Sequence, residues 1–325
     1  MKTTTEEARG AAVPASPVPA TVTVTVLVDN ARGGEGLRSQ WGLSCWIEAG
    51  DSRVLLDCGA TSAFVRNAAE LGVALETADA FVLSHGHYDH GGGLAAVMQA
   101  APRARLVLHP GALVPRYSLR KTGTPEAIGL PERSLAALRG DPERVDWVVR
   151  PRQVAPAVWV SGPVPRREPI EEVEPSFHLD EACTVRDLVV DDQTLWVETS
   201  RGLVIVFGCA HAGVLNTVDY VRRLAAERSS EAAWRSSVPI ADDGLPRVRA
   251  LLGGMHLLRA GKDRREATVD ALASLAPELC GPCHCTGKRA TDLLRSRLPE
   301  AFVEVRTGSC FELDQGGPGR PGRRR

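Results

Sequence analysis

Residues 85–90 read His-Gly-His-Tyr-Asp-His, so three imidazoles and a carboxylate fall within six positions. The apolar run Phe81-Val82-Leu83 precedes them and Gly91-Gly92-Gly93 follows. Core packing does not ask for such a cluster, because buried ionisable groups are costly unless paired or bound to a metal. Imidazole and carboxylate together suit zinc, iron or manganese. His85 and His87 stand two apart at the end of an extended segment, so both point the same way. Asp89 and His90 come after the chain has begun to turn and approach from another side. One loop can therefore give two ligands to one metal and two to a neighbour. Two metals roughly 3.5–4 Å apart can hold a nucleophilic hydroxide between them and stabilise both attacking and leaving oxygens.

The elements that position this loop follow from periodicity. Thr21–Val28 alternates β-branched residues, and Leu43–Glu48 and Arg53–Asp57 read as further strands. Ser62–Leu71 has the spacing of an amphipathic helix, and Leu94–Ala101 reads as a helix stopped by Pro102. Ala80–Ser84 is a short buried strand with the motif at its end, and Arg105–Leu108 is another. The stretch from Pro110 to Pro131 has weak periodicity and reads as an excursion over the site. Strands are expected at Val145–Val149, Ala157–Val160, Thr194–Glu198, Leu203–Phe207 and Val248–Leu252, and Phe302–Val305 closes the fold. Helices are expected near Thr217–Arg228, Arg265–Leu275 and up to Leu298, the last capped by Thr286. Residues 229–246 read as a polar loop. Apolar strands thus end repeatedly in Gly/His clusters: at 85–90, at His211, at His256 and at His284. Four such ends can converge on one centre.

The bulk numbers narrow the field. The chain has 325 residues, 43% of them hydrophobic, enough for a sizeable core. With 39 basic and 40 acidic residues the net charge is −1, which gives no field for nucleic acid or a membrane surface. No apolar run approaches the ~20 residues of a membrane span. Residues 1–20 and 315–325 read as flexible tails flanking a catalytic domain at 21–314, the second of them basic. The N-terminus lacks the pattern of a secretion signal, so a cytoplasmic protein is expected. The eight cysteines are then free thiols. Cys280-Gly-Pro-Cys283 has the form of a redox pair but not its helical context. A zinc site on Cys280, Cys283 and Cys285 lacks a fourth ligand of its own.

With these residues in view, the chain resembles the metallo-β-lactamase fold superfamily of metallohydrolases, over roughly residues 22–312. The resemblance is carried by Asp57 after Val54-Leu55-Leu56 and by His85, His87, Asp89 and His90. Gly-Cys-x-His-x-Gly at 208–213, Gly-Gly-Met-His-Leu at 253–257 and His-Cys-Thr-Gly at 284–287 resemble a narrower subfamily. It is named for 7,8-dihydropterin-6-methyl-4-(β-D-ribofuranosyl)aminobenzene-5′-phosphate synthase. Trp41-Gly42-Leu43-Ser44 and Gly162-Pro-Val-Pro-Arg166 look like it too.

The resemblance implies an α/β (α+β) fold, the αβ/βα four-layer sandwich. It implies two divalent metal ions, zinc first, with manganese, iron or magnesium as alternatives. His85, His87 and His211 would hold one, with His256 as the competitor for the third place. Asp89, His90 and His284 would hold the other. The chain departs from the superfamily in one respect: Cys209 and His211 follow the strand at 203–208, and no aspartate stands in the bridging place. Asp89, Asp57 and His256 are the catalytic candidates, Asp57 by orienting a histidine through its second nitrogen. Arg166 and His256 are candidates for a small-molecule substrate, since a guanidinium fork suits phosphate or carboxylate. His109, His178, Arg116, Arg120 and Lys121 read as structural or solvated. The expected chemistry is attack by a metal-bound hydroxide on an electrophilic centre of a phosphorylated or pterin-like molecule. A synthase-type transferase, and a metal- or thiol-redox sensor, are the alternatives.

Overall fold

The computed structural model of the protein describes residues 18–231, 238–316 and 320–322. The expected tail at 1–20 falls almost wholly outside them, as does part of the expected loop at 229–246. In the first half the strands are β1 (Thr21–Val28), β2 (Ser44–Ala49), β3 (Ser52–Leu56), β4 (Ala80–Val82), β5 (Arg105–Leu108), β6 (Tyr117–Leu119), β7 (Pro125–Ala127) and β8 (Val145–Trp147). The helices there are α1 (Ala63–Glu70), α2 (Tyr88–Gly91), α3 (Leu94–Ala100) and α4 (Glu132–Gly140). In the second half come β9 (Arg152–Ala155), β10 (Val158–Val160), β11 (Phe177–His178), β12 (Leu195–Thr199), β13 (Gly202–Phe207), β14 (Val248–Gly254), β15 (Leu279–Cys283), β16 (Cys310–Asp314) and β17 (Arg320–Gly322). They alternate with α5 (Val214–Glu231), α6 (Lys262–Ser274) and α7 (Lys288–Arg297).

One sheet runs β17-β16-β1-β2-β3-β4-β5-β8 and the other β15-β14-β13-β12-β10-β9. Side-chain alternation places three apolar layers around them. Val204 and Val206 of β13 join Val24, Ile47 and Val82 between the sheets. Leu203, Ile205 and Phe207 of the same strand face α5, α6 and α7, packing with Val218, Val269 and Leu294. On the far side, Trp46, Leu55 and Phe81 pack against Phe64 of α1 and Leu94 and Val97 of α3. This is the four-layer αβ/βα sandwich. Each side chain of this size buried so is worth roughly 1.5–3 kcal/mol of transfer free energy. A register shift between Val26 and Val28 re-aims the end of β1, so that Val26 packs between the sheets and Val28 toward the helices.

Three expectations need correction. The closing strand is Cys310–Asp314, antiparallel to β1, and not Phe302–Val305. The latter makes one isolated bridge, Phe302 to Cys280, before the chain turns through Gly308 at φ +88°. Thr286 does not cap α7: Gly287 precedes that helix without a side-chain cap, and the Thr286 hydroxyl donates to Cys283 O. Within the stretch read as a basic tail, Arg320–Gly322 pairs with β16, whose outer edge would otherwise be open.

Candidate metal centre

The strands of the site end at one rim. β13, β14 and β15 are parallel neighbours, so Cys209 and His211, His256, and His284 leave the second sheet side by side. β4, parallel to β3 and β5, delivers His85–His90 from the first sheet. Backbone strain concentrates here: Asp57, Ala210, His256 and His284 all have positive φ, between 43° and 56°. For non-glycine residues each such position costs on the order of 1–2 kcal/mol, which the surrounding packing must hold in place.

The donor atoms form two groups. His85 Nε2 lies 3.0 Å from His87 Nδ1 and 3.1 Å from His211 Nε2. His90 Nε2 lies 3.1 Å from His284 Nε2, which is 3.5 Å from Asp89 Oδ2. Two nitrogens bound to one tetrahedral zinc at about 2.0–2.1 Å stand roughly 3.3–3.4 Å apart. The clusters therefore have the size of a metal's coordination shell.

The opposite ring nitrogens are pinned. His90 Nδ1 donates to Asp57 Oδ2 at 2.6 Å. The Ser84 hydroxyl donates to that same oxygen at 2.7 Å and so accepts from His85 Nδ1 at 2.9 Å. His284 Nδ1 donates to Asn30 Oδ1 at 3.0 Å. Each of these three imidazoles thus turns an Nε2 lone pair toward the centre, which fits a divalent transition metal.

Burial, reinforced by neighbouring imidazoles and Arg116, holds His85, His87 and His211 well below the usual histidine range. Burial would lower His90 as well, but Asp57 and Asp89 outweigh it and raise the ring to about 9. Burial raises the Asp89 carboxyl, yet His90 and His284 outweigh that and hold it well below the carboxylate range. A divalent metal held by His90 would compete with that proton.

Two cysteines complete the centre. Cys209 Sγ lies 3.1 Å from His90 Nε2 and 3.2 Å from Cys285 Sγ. The Cys285 sulfur also accepts from His256 N–H at 3.2 Å. Burial pushes the Cys209 thiol up. It opposes Cys285 too, but the contacts from Cys209 and His256 overcome it and bring that thiol down. Cysteine spacing alone did not mark this pair, since 76 positions separate them.

The centre opens into a cleft of about 240 Å3. Trp41, Tyr88, Ile128 and Phe177 give its apolar walls, and its charged edge carries Arg120, paired with Glu126, and Arg259, 3.6 Å from Glu174, which also lines the cleft. His256 lines it as well, its ring 4.2 Å from that of His211 and its buried Nδ1 without a hydrogen-bond partner. The 110–131 excursion supplies β6 and β7, which with β11 form a small sheet beside the opening.

Other candidates are committed elsewhere. Arg166, read from sequence as an anion binder, donates to His211 O at 2.7 Å and to Leu188 O at 2.6 Å. Its fork holds the His211 loop from behind and does not line the cleft. Arg116, read as solvated, is buried between Asp187 and Asp191. Asp191 in turn accepts from Gly86 N at 2.7 Å, bracing the metal loop. His109 caps a turn through Gly111 N, and His178 Nδ1 bonds Ser176 O at 3.1 Å. Cys280 and Cys283 sit three apart on β15, facing opposite apolar layers. Their Cα atoms are then about 10 Å apart, too far for a disulfide.

Comparison with known proteins bears on the fold. A model described as the metallo-beta-lactamase superfamily matches residues 42–181. The chain is 27% identical over 308 residues to the Methanocaldococcus jannaschii protein named 7,8-dihydropterin-6-methyl-4-(beta-D-ribofuranosyl)-aminobenzene-5′-phosphate synthase, covering 89% of this chain and 95% of that one. It is 29% identical over 269 residues to the uncharacterized protein MJ0448 of the same organism, covering 82% and 91%. Tm1679, a solved structure described as a metal-dependent hydrolase of the beta-lactamase superfamily, matches with a TM-score of 0.69 at 27% identity, over 90% of this chain and 100% of that one. The Bacillus subtilis metallo-beta-lactamase fold protein YhfI shares the fold, with a TM-score of 0.50 at 12% identity over 90% and 100%. Motif, fold and relatives agree: residues 42–181 match the metallo-beta-lactamase superfamily model, and the chain as a whole has that fold.

Proposed function

We propose that the protein is a metal-dependent hydrolase acting on a small, anionic molecule. The observation that carries this reading is the facing of Nε2 atoms, His85 with His211 and His90 with His284, at 3.1 Å within each pair, beneath a cleft that His211 and His284 line. His85, His87 and His211 would hold one divalent ion and Asp89, His90 and His284 a second. Zinc suits the nitrogen-rich set, and manganese or iron are the alternatives. Bound there, the metals would supply a water ionised near neutral pH and a Lewis acid for developing negative charge.

The chain's own residues do the rest. Asp57, through His90 and Ser84, fixes two imidazoles in the tautomer that faces the centre. His256, with a free Nδ1 at the cleft wall, is placed to carry a proton to or from the reacting group. Arg120 and Arg259 give a phosphorylated substrate charged partners, and Trp41 and Phe177 give a flat ring, pterin-like or aminobenzene, surfaces to stack on.

Elemental analysis after zinc loading tests the reading, paired with hydrolysis of bis(p-nitrophenyl) phosphate. About two metals per chain, falling to about one in Asp89→Ala and in His211→Ala, and metal-dependent turnover are expected. A chain that retains no metal and turns nothing over would sink it. A second reading, a synthase-type transferase, is favoured by the near-full-length similarity to a relative with that name. Release of pyrophosphate from a ribosyl-pyrophosphate-type donor would mark it.

A further inference from the structure

Neither group of donors, as described so far, shares a ligand with the other. Yet Cys209 Sγ lies within 4.8 Å of both members of the His85–His211 pair and of both members of the His90–His284 pair. Its side chain is buried, 3% exposed. We propose that Cys209 is a bridging ligand, its thiolate bound to both metals at once. This deepens the metal-dependent reading above and rests on it.

The local fold explains how the sulfur arrives there. Cys209 follows β13, and Gly208 brings that strand end hard against the first sheet. A Cβ at Gly208 would stand 2.1 Å from Ser84 Oγ and 3.2 Å from Asp57 Oδ2, the two groups that pin His85 and His90. Only glycine permits the approach, and the next side chain then projects into the space between the two histidine groups. Ala210, in the left-handed region at φ +52°, turns the chain so that His211 enters from the other side.

The chemistry is also suited. Thiolate is a stronger zinc ligand than carboxylate in softness, and sulfur has lone pairs for two cations. On binding, the Cys209 proton is released to solvent and two metal–sulfur contacts form, with no change of oxidation state. Cys285 is the rival sulfur, but it groups only with Cys209 and His256 and with neither histidine pair. Its sulfur stands 3.2 Å from Cys209 Sγ, beside the bridge and not in it.

Cobalt(II) titration of the metal-stripped full chain tests this by absorption, without reference to turnover. A sulfur-to-cobalt charge-transfer band in the near ultraviolet is expected to grow through the first and the second equivalent. Cys209→Asp, which returns a carboxylate to the place, is expected to keep two cobalt ions and lose the band. Cys285→Ser is expected to keep both ions and the band. A band that stops growing at one equivalent, survives in Cys209→Asp or disappears in Cys285→Ser overturns the bridge. Two cobalt ions bound without any band overturn the bridge alone, whereas no cobalt bound overturns the metal reading with it.

Discussion

Asp57 and His90 are both fully buried, and their side chains meet at 2.6 Å through Oδ2 and Nδ1. That contact sets the tautomer of His90 and, through Ser84, of His85. Asp57→Asn is the informative change, because asparagine also tolerates the left-handed backbone at φ +56°. The substitution removes the charge and leaves the shape. Metal affinity is expected to fall by roughly 10–100-fold, read by competition with a chromophoric chelator. Unchanged affinity would mean that the Nδ1 contact does not tune the ligand.

A change at His256 tests whether catalysis and metal holding are separable. If it acts in proton transfer, His256→Ala lowers kcat by roughly 10²–10⁴ while elemental analysis still finds the wild-type metal content. Loss of a metal in this variant would instead make His256 the third ligand of the first ion, in competition with His211.

Arg166 supports the His211 loop and does not line the cleft. Arg166→Ala removes its donors from His211 O and Leu188 O, at a cost of about 1–3 kcal/mol in stability. Thermal unfolding is expected to shift down and kcat to fall with the displaced His211, while KM stays close to wild type. A rise in KM alone would restore the substrate-binding role.

Asp192 braces the same loop, accepting from Ala212 N at 2.8 Å while its other oxygen is buried without a partner. Burial raises its carboxyl to about 6. The folded state therefore holds this proton more tightly than the unfolded chain. The contribution is fully present below about pH 4 and is lost as pH rises through about 6. Asp192→Asn is expected to remove a slope on the order of 2 kcal/mol across that window. Denaturant unfolding at pH 4.5 and 7, wild type against variant, checks it; parallel curves would refute it.

Much of the architecture is local in origin. The alternation in Thr21–Val28 and the apolar runs at Arg105–Leu108 and Leu203–Phe207 are each strands in the structure. Their side chains answer to a period of two wherever they pair. The cluster from His85 to His90 was legible for the same reason, since its candidate ligands come from one short loop. Cys310–Asp314 was not. Its CFELD run alternates, Phe311 and Leu313 buried and Glu312 and Asp314 exposed, but it is too short to stand out from the sequence, and its pairing with β1 is what shows it to be the closing strand.

The rest of the centre depends on distance through space. His211, His256 and His284 could be recognised as strand-end histidines, but which atoms face each other is set by parallel pairing of β13, β14 and β15. Asn30 reaches His284 across 254 positions, and Cys285 reaches Cys209 across 76. Arg166 reads from sequence as an anion-binding fork, yet the carbonyls of His211 and Leu188 reach it first. The sequence by itself determined the candidate ligand types and the strands that carry them, because those follow from short-range spacing. Only the tertiary structure decided that a sulfur stands between the two histidine groups. That position exists only where two sheets close on each other, at a glycine with no side chain to keep them apart.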